Sequence, residues 1–153
     1  MTLEPIPELD ALPQYDAWIS VVKSYSRCQR LLNQRLGEIG LTVAKHDVLL
    51  ALRRNEGLSQ QALARYLLVA KSNVTGLVKR LGADGLIRRE PDPDDARGQR
   101  VYLTREGKRR LARAIAIQAE VIVLMTDGIS AADSRRLEKV MRAIDGNLRQ
   151  ALA

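Results

Sequence analysis

At 153 residues the chain is long enough for one domain, or one domain with appended helices, around a real hydrophobic core. Its formal net charge of +7 lies wholly between Arg53 and Arg110, where 14 basic residues meet 7 acidic ones, while the remainder holds 11 of each; that placement suits a nucleic-acid surface, although a solvated basic face has the same charge. A lone cysteine excludes an internal disulfide, no apolar run approaches the ~18 residues of a membrane span, and Glu4, Glu8, Asp10 and Asp16 precede the first basic residue, so neither export nor insertion is expected and the location reads as cytoplasmic.

Residues 1–13 interleave Pro5, Pro7 and Pro13 with Leu3, Ile6, Leu9 and Leu12, which predicts an extended arm with apolar anchors and no long helix. From about Gln14 to Gly37 a long helix is predicted, with Trp18, Val21 or Val22, Tyr25, Cys28 or Gln29, Leu32 and Leu36 at helical spacing. Cys28 reads as a core or interface residue. A second helix is expected to start with Thr42 as cap and to end before Gly57, burying Val48, Leu49 and Leu52. The only histidine, His46, lies in it, and reads either as a partly buried or surface helix residue or as a polar lining of a ligand pocket.

The stretch from Ser59 to Thr104 carries the densest signal. Ser59 caps a short helix expected to bury Leu63, Leu67 and Leu68, and only Val69 and Ala70 separate it from a further helix over roughly Lys71 to Asp84. In that helix Val74, Leu77, Val78 and Leu81 share one stripe, so Ser72, Asn73, Thr75, Gly76, Lys79 and Arg80 make a small, polar, cationic opposite face or its flanks. Two short amphipathic helices on a tight turn read as a helix-turn-helix, whose second helix meets base edges in a major groove; an ordinary helical hairpin is the other reading. Gly85 ends the helix. Two strand-like runs, Leu86 to Arg89 and Gln99 to Leu103, then flank a turn-rich loop, Glu90 to Gly98, with Arg97 near its tip; a basic hairpin beside a recognition helix is a wing.

Here the chain resembles the MarR/SlyA family of winged helix-turn-helix transcriptional regulators. The resemblance is carried by Leu41-Thr42, by Val74-Thr75 and Leu81 with Asp84-Gly85-Leu86-Ile87, by Asp92-Pro93-Asp94-Asp95-Ala96-Arg97, and by Leu103-Thr104-Arg105-Glu106-Gly107. It departs from the family's pattern at Lys45-His46, where Gln and an aromatic residue are common, at Gly76, where Arg is common, and at Ala96. The resemblance implies a mainly α fold in three regions: residues 1–40 as arm and dimerisation helix, 41–104 as the winged DNA-binding domain, and 105–153 as dimerisation helices. It implies a homodimer on a palindromic operator, most often a repressor, released by a small aromatic or amphipathic effector for which Trp18, Tyr25 and His46 are the expected lining. Double-stranded DNA contacts are expected from Ser72, Asn73, Thr75, Gly76, Lys79, Arg80, Arg97 and Arg100, with Asp95 holding the Arg97 guanidinium.

Beyond Thr104 the periodicity predicts helices to the end. Leu111, Ile115, Ala119, Ile122 and Met125 form one stripe, and Val121 to Met125 is apolar all round. Asp127-Gly128 breaks the run, Ser130 and Asp133 cap a last helix, and Leu137, Val140, Met141, Ile144 and Leu148 line one of its faces. These residual apolar faces call for a second copy of the chain. No enzyme reading stands: there is no phosphate-cradling glycine loop and no nucleophile–base pair, and one His with one Cys makes no metal site, so no cofactor is expected. A non-specific architectural DNA-binding protein and a winged-helix protein-interaction module remain open as alternatives.

Overall fold

In a computed structural model the described residues are 6–93 and 95–152, except the side chains of Ala96 and Arg97. The helices are α1 (Pro7–Asp10), α2 (Tyr15–Gly37), α3 (Val43–Arg54), α4 (Gln60–Leu67), α5 (Lys71–Ala83), α6 (Arg105–Met125) and α7 (Ala131–Ala151). Strands β1 (Leu58–Ser59), β2 (Ile87–Asp92) and β3 (Asp95–Leu103) form an antiparallel sheet in the order β1-β3-β2. The chain divides into two compact units, Met1–Val121 and Ile122–Ala153.

The first unit is built on one apolar core. Leu36, Leu41, Val48, Leu49, Leu52, Leu63, Val74, Val78, Leu81, Leu86, Val101 and Leu111 are all fully buried there, each worth roughly 1.5–3 kcal/mol against exposure. Two helix starts follow their predicted caps: Thr42 Oγ1 accepts from the Lys45 amide at 3.2 Å and Ser59 Oγ from the Ala62 amide at 3.2 Å. Helices α4 and α5 pack as a hairpin on α3, and β1 pairs with β3 through Leu58↔Val101 and Ser59↔Arg100. Ser59 thus ends a strand and caps a helix at once.

Four expectations are corrected. The arm is not wholly extended: Pro7–Asp10 makes one helical turn, with proline at the position where its missing N–H costs nothing. Leu68 is not buried; it is the left-handed C-cap of α4 and 92% exposed, so three residues, not two, make the turn. Leu68 loses the core because α4 stops one residue before it and the chain reverses there. The wing is mostly strand, not loop: β2 extends through Pro91 and β3 starts at Asp95. A proline fits because β2 is an edge strand, where one N–H per pair faces outward.

The buried face of α6 is the fourth. It runs through Gly107, Leu111, Ala114 and Val121 with Gln118 half-buried, whereas Ala119 is exposed. The stripe drawn through large apolar residues is rotated by about 100° because the true face includes small and polar side chains.

In the second unit Gly128, at φ 74°, turns the chain. Ser130 Oγ accepts from the Asp133 amide at 3.1 Å and donates to Asp133 Oδ2 at 2.6 Å, the expected capping pair. Leu137, Val140, Met141, Ile144 and Leu148 of α7 are exposed in the single chain, as are Ile122 to Met125.

Candidate nucleic-acid interface

Helix α5 divides cleanly. Val74, Val78 and Leu81 are fully buried and Leu77 partly, while Ser72, Asn73, Thr75, Lys79 and Arg80 are exposed. Thr75 Oγ1 donates to the Lys71 carbonyl at 3.0 Å, so its hydroxyl hydrogen is committed within the helix. Gly76 is half-buried between these residues. A Cβ there would lie 3.7 Å from both terminal nitrogens of Arg80, an ordinary contact, so glycine is not required for space.

The start of α5 differs from that of α3, α4 and α7. Ala70 at the N-cap supplies no side-chain acceptor, and the first turn holds no acidic residue. The first amides and the positive end of the helix dipole are left for an anion. From Gly57 to Ala83 the chain contains Arg65, Lys71, Lys79 and Arg80 and no Asp or Glu, so the exposed helical hairpin is uniformly cationic.

The end of α5 is held by groups that motif reading did not single out. Gly85, at φ 70°, reverses the chain, and the Leu86 amide donates to the Leu81 carbonyl at 3.0 Å. Lys45 Nζ pairs with Asp84 Oδ2 at 2.6 Å, which ties α3 to the C-cap of α5. Thr104 Oγ1 donates to the Gly85 carbonyl at 2.7 Å and accepts from the Gly107 amide at 3.0 Å, while the Thr104 amide donates to the Leu86 carbonyl at 3.1 Å. One threonine therefore locks the end of the recognition helix to the start of α6.

In the wing, Arg88 pairs with Arg89's neighbour Glu90 and lies 4.7 Å over the Tyr102 ring. Arg100 Nε donates to Asp92 Oδ1 at 2.9 Å, with both side chains partly buried; Arg100 braces the hairpin, a role its sequence position did not announce. Asp95 sits opposite Asp92 at the tip and is exposed. A Cβ at Gly98 would come within 3.0 Å of the Cβ atoms of both aspartates, so the tip closes only over glycine. The Arg97 side chain, and with it the expected Asp95–Arg97 pair, lies outside the described residues, as does Asp94. Between wing and helical hairpin lies an open cavity of about 320 Å³ lined by Ser59, Gln60, Gln61, Lys71, Asp92, Asp95, Gly98 and Gln99.

A cationic helical hairpin, a braced wing and an uncapped recognition helix set the frame for comparison with known proteins. A model of the MarR family matches residues 39–98. The HTH-type transcriptional repressor IacR of Pseudomonas putida is 26% identical over 131 residues, 86% of this chain and 77% of its own. An uncharacterized HTH-type transcriptional regulator of Bacillus cereus is 30% identical over 101 residues, 66% of this chain and 67% of its own. The chain belongs to the MarR family. It is a winged helix-turn-helix transcriptional regulator, and not an enzyme. In fold it is similar to E. coli MarR solved in complex with operator DNA, with a TM-score of 0.81 and 22% identity over 92% of this chain and 98–99% of that one.

The residues expected to line an effector site in this MarR-family chain are placed as follows. Trp18 stacks on Tyr15 with ring centroids 5.8 Å apart and, like Tyr25, is more than half exposed. His46 is fully buried, because it falls three residues before Leu49 on the core stripe of α3. Its Nε2 is 3.2 Å from Gln118 Oε1 on α6, and its Nδ1 is buried without a partner. None of the described cavities is lined by these three residues together. Beside His46, burial pushes the Asp47 carboxyl above the ordinary aspartate value, and His46 works against that shift. Cys28 is half-buried against the core. Among the described residues no group of three or more His, Cys, Asp or Glu is placed to hold a metal, and no helix is long and apolar enough to cross a membrane.

Proposed function

We propose that this MarR-family regulator is a repressor that binds a palindromic operator as a homodimer and is released by a small aromatic or amphipathic effector. The observation that carries the reading is the acid-free exposed face of α5: Ser72, Asn73, Lys79 and Arg80 stand on a helix whose opposite face is fully buried, with its N-terminus uncapped. Asn73 can pair with both hydrogen-bonding groups of an adenine edge, and Lys79 and Arg80 can neutralise phosphates. The wing adds Arg97 for a minor groove, where A·T tracts concentrate negative potential. A protein acting on this partner is expected in the cytoplasm.

Two further observations support the assembly and its release. The exposed stripes of α7 and of the first half of α2, with Trp18, Val21, Val22 and Tyr25, are what a second copy would cover, and a two-fold dimer reads half-sites about one helical turn, ~34 Å, apart. His46 supports the effector site, being a buried polar group with one unpartnered ring nitrogen inside an apolar wall. A ligand that binds the non-binding half-site spacing more tightly by ~1–3 kcal/mol shifts operator affinity about 5–150-fold.

The test is selection of duplexes from a random library, followed by titration. The expected result is a palindromic consensus bound at least ~10³-fold more tightly than random DNA by a dimer, and weakened by at least one phenolic or aromatic carboxylic acid. Binding without sequence preference would instead favour an architectural role, and no binding to any duplex at low salt would favour a protein-interaction module.

A further inference from the structure

We infer that Leu68 is a specificity-determining residue, whose side chain contacts the 5-methyl group of a thymine in the major groove. The inference rests on the DNA-recognition reading and adds a residue to it that neither helical face contains.

Leu68 is the only non-glycine residue at positive φ among the described residues, with φ 55° and ψ 40°. An L side chain is strained in that conformation, which glycine adopts freely and asparagine tolerates. The side chain gives the core nothing in return, being 92% exposed, and Val69 beside it is 41% exposed. The backbone is held there: the Leu68 amide donates to the Arg65 carbonyl at 3.3 Å and the Val69 amide to the Ala64 carbonyl at 3.1 Å. A large apolar side chain is thus kept in water, in a conformation that favours a residue without one.

What surrounds Leu68 selects its partner. Arg65, Lys71, Lys79 and Arg80 are the only charged residues between Gly57 and Ala83, and the neighbouring N-terminus of α5 carries neither a capping side chain nor an acidic residue. An apolar protein surface would meet uncompensated cations here. Duplex DNA presents phosphates for those cations and, between them, an apolar group in the major groove, the thymine methyl. In a helix-turn-helix the N-terminal residues of the second helix meet base edges, and Leu68 stands three residues before Lys71, the first residue of that helix. Ser72 and Asn73 would read hydrogen-bonding groups while Leu68 reads the methyl.

The experiment uses the full chain and a duplex selected by the wild-type protein from a random library. Each thymine is replaced in turn by deoxyuridine, which removes the methyl and leaves the pairing edges unchanged. Affinities are measured at one ionic strength for the wild type, Leu68→Asn and Leu68→Gly. The expected result is one half-site position at which deoxyuridine weakens the wild type roughly three- to fivefold, the worth of one apolar methyl-sized contact. Both variants should bind the thymine and deoxyuridine duplexes equally, and should melt no lower than the wild type. If no position shows a methyl dependence that disappears in both variants, the inference is overturned while the DNA-recognition reading stands. If the wild type selects no sequence, that reading fails and takes the inference with it.

Discussion

Gly107 offers the sharpest test of how the recognition helix is joined to α6. A Cβ at Gly107 would lie 1.9 Å from the Leu86 carbonyl oxygen and 2.9 Å from its carbon. Restoring an ordinary carbon–oxygen separation of about 3.3 Å demands a backbone shift of ~1.4 Å. Nothing flexible can absorb it, because the obstructing atoms are backbone. The same Leu86 carbonyl accepts from the Thr104 amide at 3.1 Å, and Thr104 in turn holds the Gly85 carbonyl at 2.7 Å. A shift of that size breaks both bonds, at ~0.5–1.5 kcal/mol each, on top of ~1–3 kcal/mol for overpacking. Alanine recovers ~0.5–1 kcal/mol through its better helix propensity.

Gly107→Ala is therefore expected to destabilise the fold by about 3 kcal/mol, which in a chain of this size lowers the melting midpoint by roughly 6–12 °C. The assay is thermal and urea unfolding at one protein concentration, since a dimer's midpoint depends on it. Gly82→Ala is the matched control. Nothing lies within 4 Å of a Cβ at Gly82, so that variant should be unchanged or gain up to ~1 kcal/mol. A Gly107→Ala protein that melts with the wild type would show that the two backbones do not approach as closely as described, and the account of the joint would fall.

Four other outcomes follow from the same geometry. Gly76→Arg should leave folding intact, since its Cβ meets only the mobile end of Arg80, and should add a guanine preference to the selected sequence; identical consensus sites for both proteins would remove Gly76 from the base-facing surface. Arg97→Ala should weaken binding to an A·T-flanked operator by about 1–3 kcal/mol, read by titration, with unchanged affinity counting against minor-groove insertion. Asp47, whose carboxyl is raised by burial, binds protons more readily folded than unfolded, so its effect is to lower stability as pH rises through and above the ordinary aspartate range. Asp47→Asn should accordingly stabilise the protein near neutral pH and lose that advantage below about pH 4, as melting curves across pH will show. Ile144→Asp, on the exposed stripe of α7, should yield a folded monomer by sedimentation with much weakened operator affinity; an intact dimer would move the interface elsewhere.

Much of the fold is legible because it depends on local rules. Thr42, Ser59 and Ser130 cap the helices their positions suggest, and Gly85 and Gly128 turn the chain at positive φ. The stripe Val74, Val78, Leu81 fixes which face of α5 is outward, because an apolar stripe on so short a helix has only one place to go. What local rules missed depends on tertiary contact. The wing strands extend across a proline because β2 is an edge, a fact about sheet order and not about residues 90–98. The buried face of α6 includes Ala114 and Gln118, and its partners on α3, not their own hydropathy, draw them inward.

The candidate site divides the same way, and the division has a physical cause. Outward residues such as Ser72, Asn73 and Lys79 can be read from the helix period, since exposure is the complement of a buried stripe. Residues that hold the site in place cannot, because each acts through a partner distant in sequence. Lys45 meets Asp84 across 39 positions, Thr104 meets Gly85 across 19, and His46 meets Gln118 across 72. Lys45-His46 is visible as a departure from the family's pattern, yet only the packing of α3 against the end of α5 and against α6 separates the two roles. Lys45 sets the end of the recognition helix, whereas His46 puts a half-satisfied polar group in the core where α3 meets α6. A buried nitrogen without a partner is costly, and it would be satisfied by any ligand donor or acceptor that reached it. That makes His46 a better anchor for an effector than Trp18 or Tyr25, whose exposed rings are equally explained by a second copy of the chain covering them.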